Sequence, residues 1–139
     1  MVPDGMQSLD IPSLRGEVSE EEWQARVDLA CAYRLVAHYG WTHVTANHIS
    51  LRVPGDEEHF LLNPYGLLFD EVTASSLVKI DLDGNKLMES DFGINQAGYV
   101  IHSAIHGARK DITCAIHTHT EAGMAVSSQK NGLLPLNMS

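Results

Sequence analysis

The positions Trp23, Val27, Ala30, Cys31, Arg34, Leu35 and His38 recur at helical spacing and the pattern stops at Gly40, which predicts a helix over about 20–39 with one buried face. Ser19 ahead of Glu20, Glu21 and Glu22 supplies its start, a side-chain acceptor at the cap and acidic residues against the positive end of the helix dipole. Beyond Gly40 the period shortens. HISLRV alternates and is rich in β-branched residues, Pro54-Gly55-Asp56 signals a turn and HFLLN opens a second run, so the stretch reads as a hairpin. Asn63-Pro64-Tyr65-Gly66 ends that strand, and Thr73 to Ser76 has the length of a single helical turn. LVKIDL, the reversal Asp83-Gly84-Asn85 and KLME predict a second antiparallel pair. Val100, Ile101, Ala104 and Ile105 mark a helix over about 95–109, DITCAIH a buried strand, and TEAGMAVSSQKNG a helix closed by Asn131-Gly132.

This order predicts an α/β fold with helices packed on a mixed or antiparallel sheet. Residues 1–18 carry Pro3, Gly5 and Pro12 without a sustained period and read as an extended lead segment, leaving 19–139 as the domain. The closing run GLLPLNMS is apolar and lacks a completing element, the pattern of a domain whose C-terminal part lies beyond residue 139. With 139 residues, 44% of them hydrophobic, the chain has core enough for one domain and is short for two.

Cys31 and Cys114 lie far apart in apolar stretches, as buried thiols of a reducing compartment would, so the cytoplasm is the expected location. No apolar run approaches the roughly 20 residues needed to span a bilayer, and membrane insertion is not expected. A net charge of −9, with nine scattered Lys and Arg, argues against a nucleic-acid partner. Any anionic substrate would need local donors such as helix N-termini.

The strongest chemical signal is Ile116-His117-Thr118-His119-Thr120. Residues two apart on a strand project to one face, and two imidazoles there can chelate one ion; the alternative is a pair of hydrogen-bonded edge histidines. His102 and His106 share a helical face and read better as satisfied core histidines than as ligands. His38 and His43 flank the helix stop, His59 starts a strand facing solvent, and Glu20 to Glu22 and Glu57-Glu58 read as solvated charge. Asn47-His48 and the 63–66 turn are placed to converge with the HTHT segment at one sheet edge.

The helix ending in GW, the segment TANHISLRV, the block NPYGLLFDEVTASSLVKIDLDGNKL, then GYVIHSAIHGARKDITCAIHTHT and GLLPL resemble the class II aldolase/adducin family from about residue 22 to 136. The resemblance implies a three-layer α/β/α sandwich around a largely antiparallel sheet, in a homo-oligomer and often a tetramer. It implies that His117 and His119 are two of three histidines binding Zn2+ or another divalent metal, the third lying beyond residue 139. In the sugar-phosphate aldolases of the family, zinc polarises substrate oxygens while a glutamate moves the proton; that position falls at Gly98. The phosphate-binding asparagine corresponds to His48, the turn threonine to Tyr65, and the serines before the acid to Gln96 and Ala97, while Gly66 is retained.

These correspondences leave Tyr65 and His48 as acid or base candidates, with Asn47, His48, Gly66 and Gln96 as substrate-binding candidates. The implied activity is a metal-dependent lyase of aldol-cleavage type acting on a small hydroxy-carbonyl or sugar-derived substrate. The pattern NHIS with GYVIHSAIH is also similar to adducin, which implies the alternative of a non-catalytic scaffold or actin-filament module.

Overall fold

The structure, a computed structural model, describes residues 11–134. Helix α1 spans Glu20–His38, followed by strands β1 (His48–Arg52), β2 (His59–Leu62) and β3 (Val78–Asp81), helix α2 (Gln96–Ala108), strand β4 (Cys114–His117) and helix α3 (Glu121–Ser127). The strands form one antiparallel sheet in the order β3-β2-β1-β4. With α1 on one face and α2 on the other, this is the three-layer α/β/α arrangement that the family resemblance implied, and its antiparallel sheet is one of the two the element order predicted.

Alternation along β1 assigns its residues to the two layers. Ile49, Leu51 and Val53, with Leu61 of β2, pack under Ala25, Leu29, Tyr33 and Val36 of α1 in the larger apolar core. His48, Ser50 and Arg52 take the opposite face, beside Phe60, Leu62, Val78 and Ile80, and meet His102 and His106 of α2. One face of the sheet is therefore apolar, while the other is apolar at β2 and β3 and polar at β1.

Ser19 caps α1, its hydroxyl accepting from Glu22 N–H at 3.1 Å. Tyr33 ties α1 to the sheet: its hydroxyl accepts from the backbone N–H of Ile49 and of Asn63, both at 3.0 Å, and donates to the Ile49 carbonyl. Its ring meets Phe69 edge to face with centroids 4.5 Å apart. That anchor sets the height of β1, and hence where His48 stands.

Several expectations change in the fold. Glu22 is buried, paired with Arg26 at 2.9 Å and Lys79 at 2.8 Å; burial works to raise its pKa, but those partners outweigh it and hold the carboxyl below its usual range. KLME contributes one bridge, Ile80 to Lys86, because the Asp81 carboxylate gathers Asp83 N–H and Asn85 N–H into a tight turn, after which Lys86 reaches for the Ser90 carbonyl. Thr73 to Ser76 is a hydrogen-bonded turn, closed by Ser76 N–H on the Thr73 carbonyl at 3.2 Å.

Strand β4 lies at the sheet edge with Cys114 and Ile116 exposed, and Cys31 is exposed too, so neither thiol is the buried group the sequence suggested. Helix α3 ends at Ser127, short of Asn131-Gly132: the hydroxyls of Ser127 and Ser128 both bond the Met124 carbonyl, at 3.0 and 2.8 Å, and compete with the helical ladder. Residues 1–10 of the expected lead segment lie outside the described residues; within the rest, Leu14 N–H donates to Ser75 at 3.1 Å. His59, expected to face solvent, is half-buried and pairs with Asp56 across the β1–β2 turn.

Candidate metal centre and its buried histidine chain

Antiparallel pairing sets His48 directly opposite His117, because β1 and β4 run in register from His48↔His117 to Leu51↔Cys114. Their rings stack with centroids 4.6 Å apart and planes 12° from parallel. His119 is past the end of β4, in the loop before Thr120 caps α3, yet its Nε2 stands 2.8 Å from His117 Nε2. The two imidazoles thus aim nitrogens at one another, although they come from a strand end and a loop instead of one strand face. His43 Nδ1 lies 3.1 Å from His119 Nδ1, a contact the sequence did not signal because a loop brings it there.

Behind His48 a polar chain runs into the core. His48 Nδ1 lies 2.7 Å from His102 Nε2; His102 Nδ1 meets the Ser50 hydroxyl, which also stands 2.8 Å from His106 Nε2. Arg52 closes the chain, its Nη2 3.2 Å from His106 Nδ1 and 2.9 Å from the His106 carbonyl. All five residues are buried, as the core reading of His102 and His106 required. Burial, then the neighbouring imidazoles, pushes His48 down to about 4 and His102 to about 3. His106 is lowered by burial and then by Arg52, and His117 by burial and then by His119.

Gly98 packs against this chain. A Cβ there would stand 3.1 Å from His48 Cβ and Cγ, so the imidazole of His48 fills the room a side chain at position 98 would need. Gly98 itself is held by Asn95, the α2 cap, whose Oδ1 accepts its N–H at 3.0 Å.

The remaining candidates gather less tightly. Asn47 is fully buried: its Oδ1 accepts from the His43 backbone N–H, and its Nδ2 has no partner among the described residues. The 63–66 turn is zipped to the segment before α2 by the Pro64↔Ile94 bridge and by Tyr65 N–H on the Gly93 carbonyl at 2.9 Å, which brings the turn carrying Gly66 towards Gln96, the first residue of α2. Asn95 Nδ2 reaches the Thr45 carbonyl at 3.5 Å and links those loops to the one carrying His43. Tyr65 is 64% exposed, and among the described residues its hydroxyl makes no hydrogen bond to the histidines.

The donor set is one that a divalent ion of the zinc type takes, imidazole being a ligand of choice for it, while in this structure His117 Nε2 and His119 Nε2 meet each other at hydrogen-bond distance, 2.8 Å. Among the described residues no group of three His, Cys, Asp or Glu side chains completes such a site. The pair supplies two ligands, and the buried amide donor Asn47 Nδ2, next in sequence to His48, has no partner among the described residues.

An antiparallel sheet between helix layers, with histidines gathered at one end, is a sandwich of the class II aldolase type. The chain belongs to the class II aldolase/adducin family: residues 27–139 match the Class II Aldolase and Adducin N-terminal domain. It is 57% identical over 129 residues to an aldolase class 2-type protein of Caulobacter vibrioides, covering 93% of this chain and 50% of that one. It is 51% identical over 114 residues to alpha-adducin of Rattus norvegicus, covering 81% of this chain and 16% of adducin.

Among solved structures, an aldolase II superfamily protein from Pseudomonas syringae superposes with a TM-score of 0.83 at 57% identity, over 91% of this chain and 51% of that one. L-fuculose 1-phosphate aldolase from Glaciozyma antarctica superposes with a TM-score of 0.70 at 33% identity, over 88% of this chain and 49% of that one. The chain spans about half the length of the bacterial relatives it matches. Among the described residues, no helix is long and apolar enough to cross a membrane.

Proposed function

We propose that this chain forms part of a divalent-metal-dependent lyase of aldol-cleavage type, acting on a small hydroxy-carbonyl or sugar-derived substrate. The observation that carries the reading is the meeting of His117 Nε2 and His119 Nε2, 2.8 Å apart at the end of β4. These two residues would hold Zn2+ or another divalent ion together with a ligand from outside the described residues. Bound there, the ion would polarise a substrate oxygen.

The chain's own groups supply the rest. Gly98 has no side chain to transfer a proton, and His48 fills its space, so His48 takes the place of the family's acid in contact with the substrate. Asn47 offers an amide donor with no partner among the described residues for a substrate oxygen, with Gly66 on the 63–66 turn and Gln96 at the start of α2 as further substrate-binding candidates. Tyr65, exposed on the 63–66 turn, is the second acid or base candidate and acts only if substrate or another subunit folds over it. A homo-oligomer, as in the family, is the expected assembly.

The test is a screen of small hydroxy-carbonyl and sugar-derived substrates for aldol cleavage, with and without a chelator. Turnover that chelation abolishes and His48→Ala reduces supports the lyase; turnover insensitive to chelation contradicts it. One observation favours a second reading: identity to alpha-adducin exceeds identity to L-fuculose 1-phosphate aldolase, 51% against 33%, and the proton-transfer position is Gly98. Cosedimentation with actin filaments in the absence of any turnover would support a scaffold role instead.

A further inference from the structure

The chain His48, His102, Ser50, His106 and Arg52 is buried throughout, yet the proposed chemistry uses only its first member. Each hydrogen bond between neutral imidazoles and a hydroxyl has a direction, and a string of them has two self-consistent polarities. Arg52 selects one. A guanidinium donates and never accepts, and its Nη2 stands 3.2 Å from His106 Nδ1. The lone pair of Nδ1 therefore faces the cation, and the proton of His106 sits on Nε2. The Ile112 carbonyl is the competing acceptor for a proton on Nδ1, and it also accepts from Arg52 Nε at 3.3 Å; a proton on Nδ1 would stand against the guanidinium N–H, which is what disfavours that polarity.

The rest follows link by link. His106 Nε2–H donates to Ser50 Oγ at 2.8 Å; the Ser50 hydroxyl donates to His102 Nδ1; His102 Nε2–H donates to His48 Nδ1 at 2.7 Å. His48 is left with its proton on Nε2, an atom with no hydrogen-bond partner among the described residues.

We infer that Arg52, acting through Ser50 and the two α2 histidines, fixes His48 as its Nε2–H tautomer, so that His48 meets the substrate as a hydrogen-bond donor to a carbonyl or hydroxyl oxygen and not as a base. The ring stacks on His117, which sets the donor beside the metal-facing pair. Arg52, Ser50, His102 and His106 are positioning residues. The tautomer stands on the hydrogen bonds alone; the donor role towards substrate rests on the metal-dependent reading proposed above.

Long-range 1H–15N correlation spectra of the histidine rings at neutral pH test this on the intact chain, in wild type and in Ser50→Ala, Arg52→Lys and Arg52→Met. In wild type, His48, His102 and His106 are expected as single Nε2–H tautomers. Ser50→Ala cuts the chain, so His102 and His48 become tautomer mixtures while His106 keeps its proton on Nε2. Arg52→Lys, which retains a donor, preserves the wild-type pattern, and Arg52→Met releases it. A wild-type His48 protonated on Nδ1, or a Ser50→Ala spectrum with His48 still purely Nε2–H, overturns the inference. Should Arg52→Met not fold, wild type and Ser50→Ala decide. Metal content measured on the same samples and on a longer chain that spans the full length of the bacterial relatives separates the two proposals: no bound metal in either length alongside the expected tautomers removes the lyase reading and leaves the tautomer assignment standing.

Discussion

Gly98 and His48 interlock: a Cβ at position 98 would stand 3.1 Å from His48 Cβ and Cγ and 3.3 Å from Cδ2, closer than a ring held by His102 and stacked on His117 can relax. Gly98→Ala should therefore be net destabilising. Alanine gains about 1 kcal/mol of helix propensity over glycine, while overpacking costs about 1–3 kcal/mol. Chemical denaturation of Gly98→Ala in wild-type and His48→Ala backgrounds checks the cause. The substitution should lower stability by about 1 kcal/mol in the first and raise it in the second; equal effects in both would sever the two residues.

The buried histidines predict an acid-sensitive fold. His48 is pushed down to about 4 and His102 to about 3, with burial the first cause, and His106 moves the same way. Their unfolded counterparts titrate near roughly 6.5, so below that pH the unfolded chain binds protons the folded chain refuses. Stability is complete above about pH 6.5 and falls as pH drops towards 3, by at most about 1.4 kcal/mol per unit for each group. Urea midpoints from pH 8 to 4 should fall, and less steeply in His102→Gln. A flat profile would contradict neutral burial of these rings.

Tyr33→Phe should cost about 2 kcal/mol, because the Ile49 and Asn63 N–H groups that now bond its hydroxyl at 3.0 Å would remain buried without a partner. Urea denaturation reads the loss. A variant as stable as wild type would mean that water or a shifted backbone replaces the hydroxyl.

Much of this frame was legible before the structure. Ser19 and the acidic turn placed the start of α1, Pro54-Gly55-Asp56 placed the hairpin, and the i,i+4 spacing of His102 and His106 correctly signalled a packed face. What sequence periodicity did not reveal depends on pairing across the chain. Glu22 looked solvated because Lys79, its partner, comes from β3, and His43 looked like a helix-end residue because its contact is on a loop after β4.

The polar face of β1 was hidden for the same reason. Ser50 carries no signal by itself, and it becomes the centre of the chain only when α2 lays His102 and His106 on either side of it. Conversely, DITCAIH reads as buried by composition, but an edge strand buries only what a neighbouring layer covers, and Cys114 and Ile116 remain exposed.

The most direct test is the metal content of the purified protein beside a His117→Ala, His119→Ala double variant, on this chain and on a longer one that spans the full length of the bacterial relatives. Stoichiometric zinc or another divalent ion that disappears in the double variant is expected. A metal-free wild type in both lengths, or an ion that survives loss of both histidines, would contradict the metal-dependent reading.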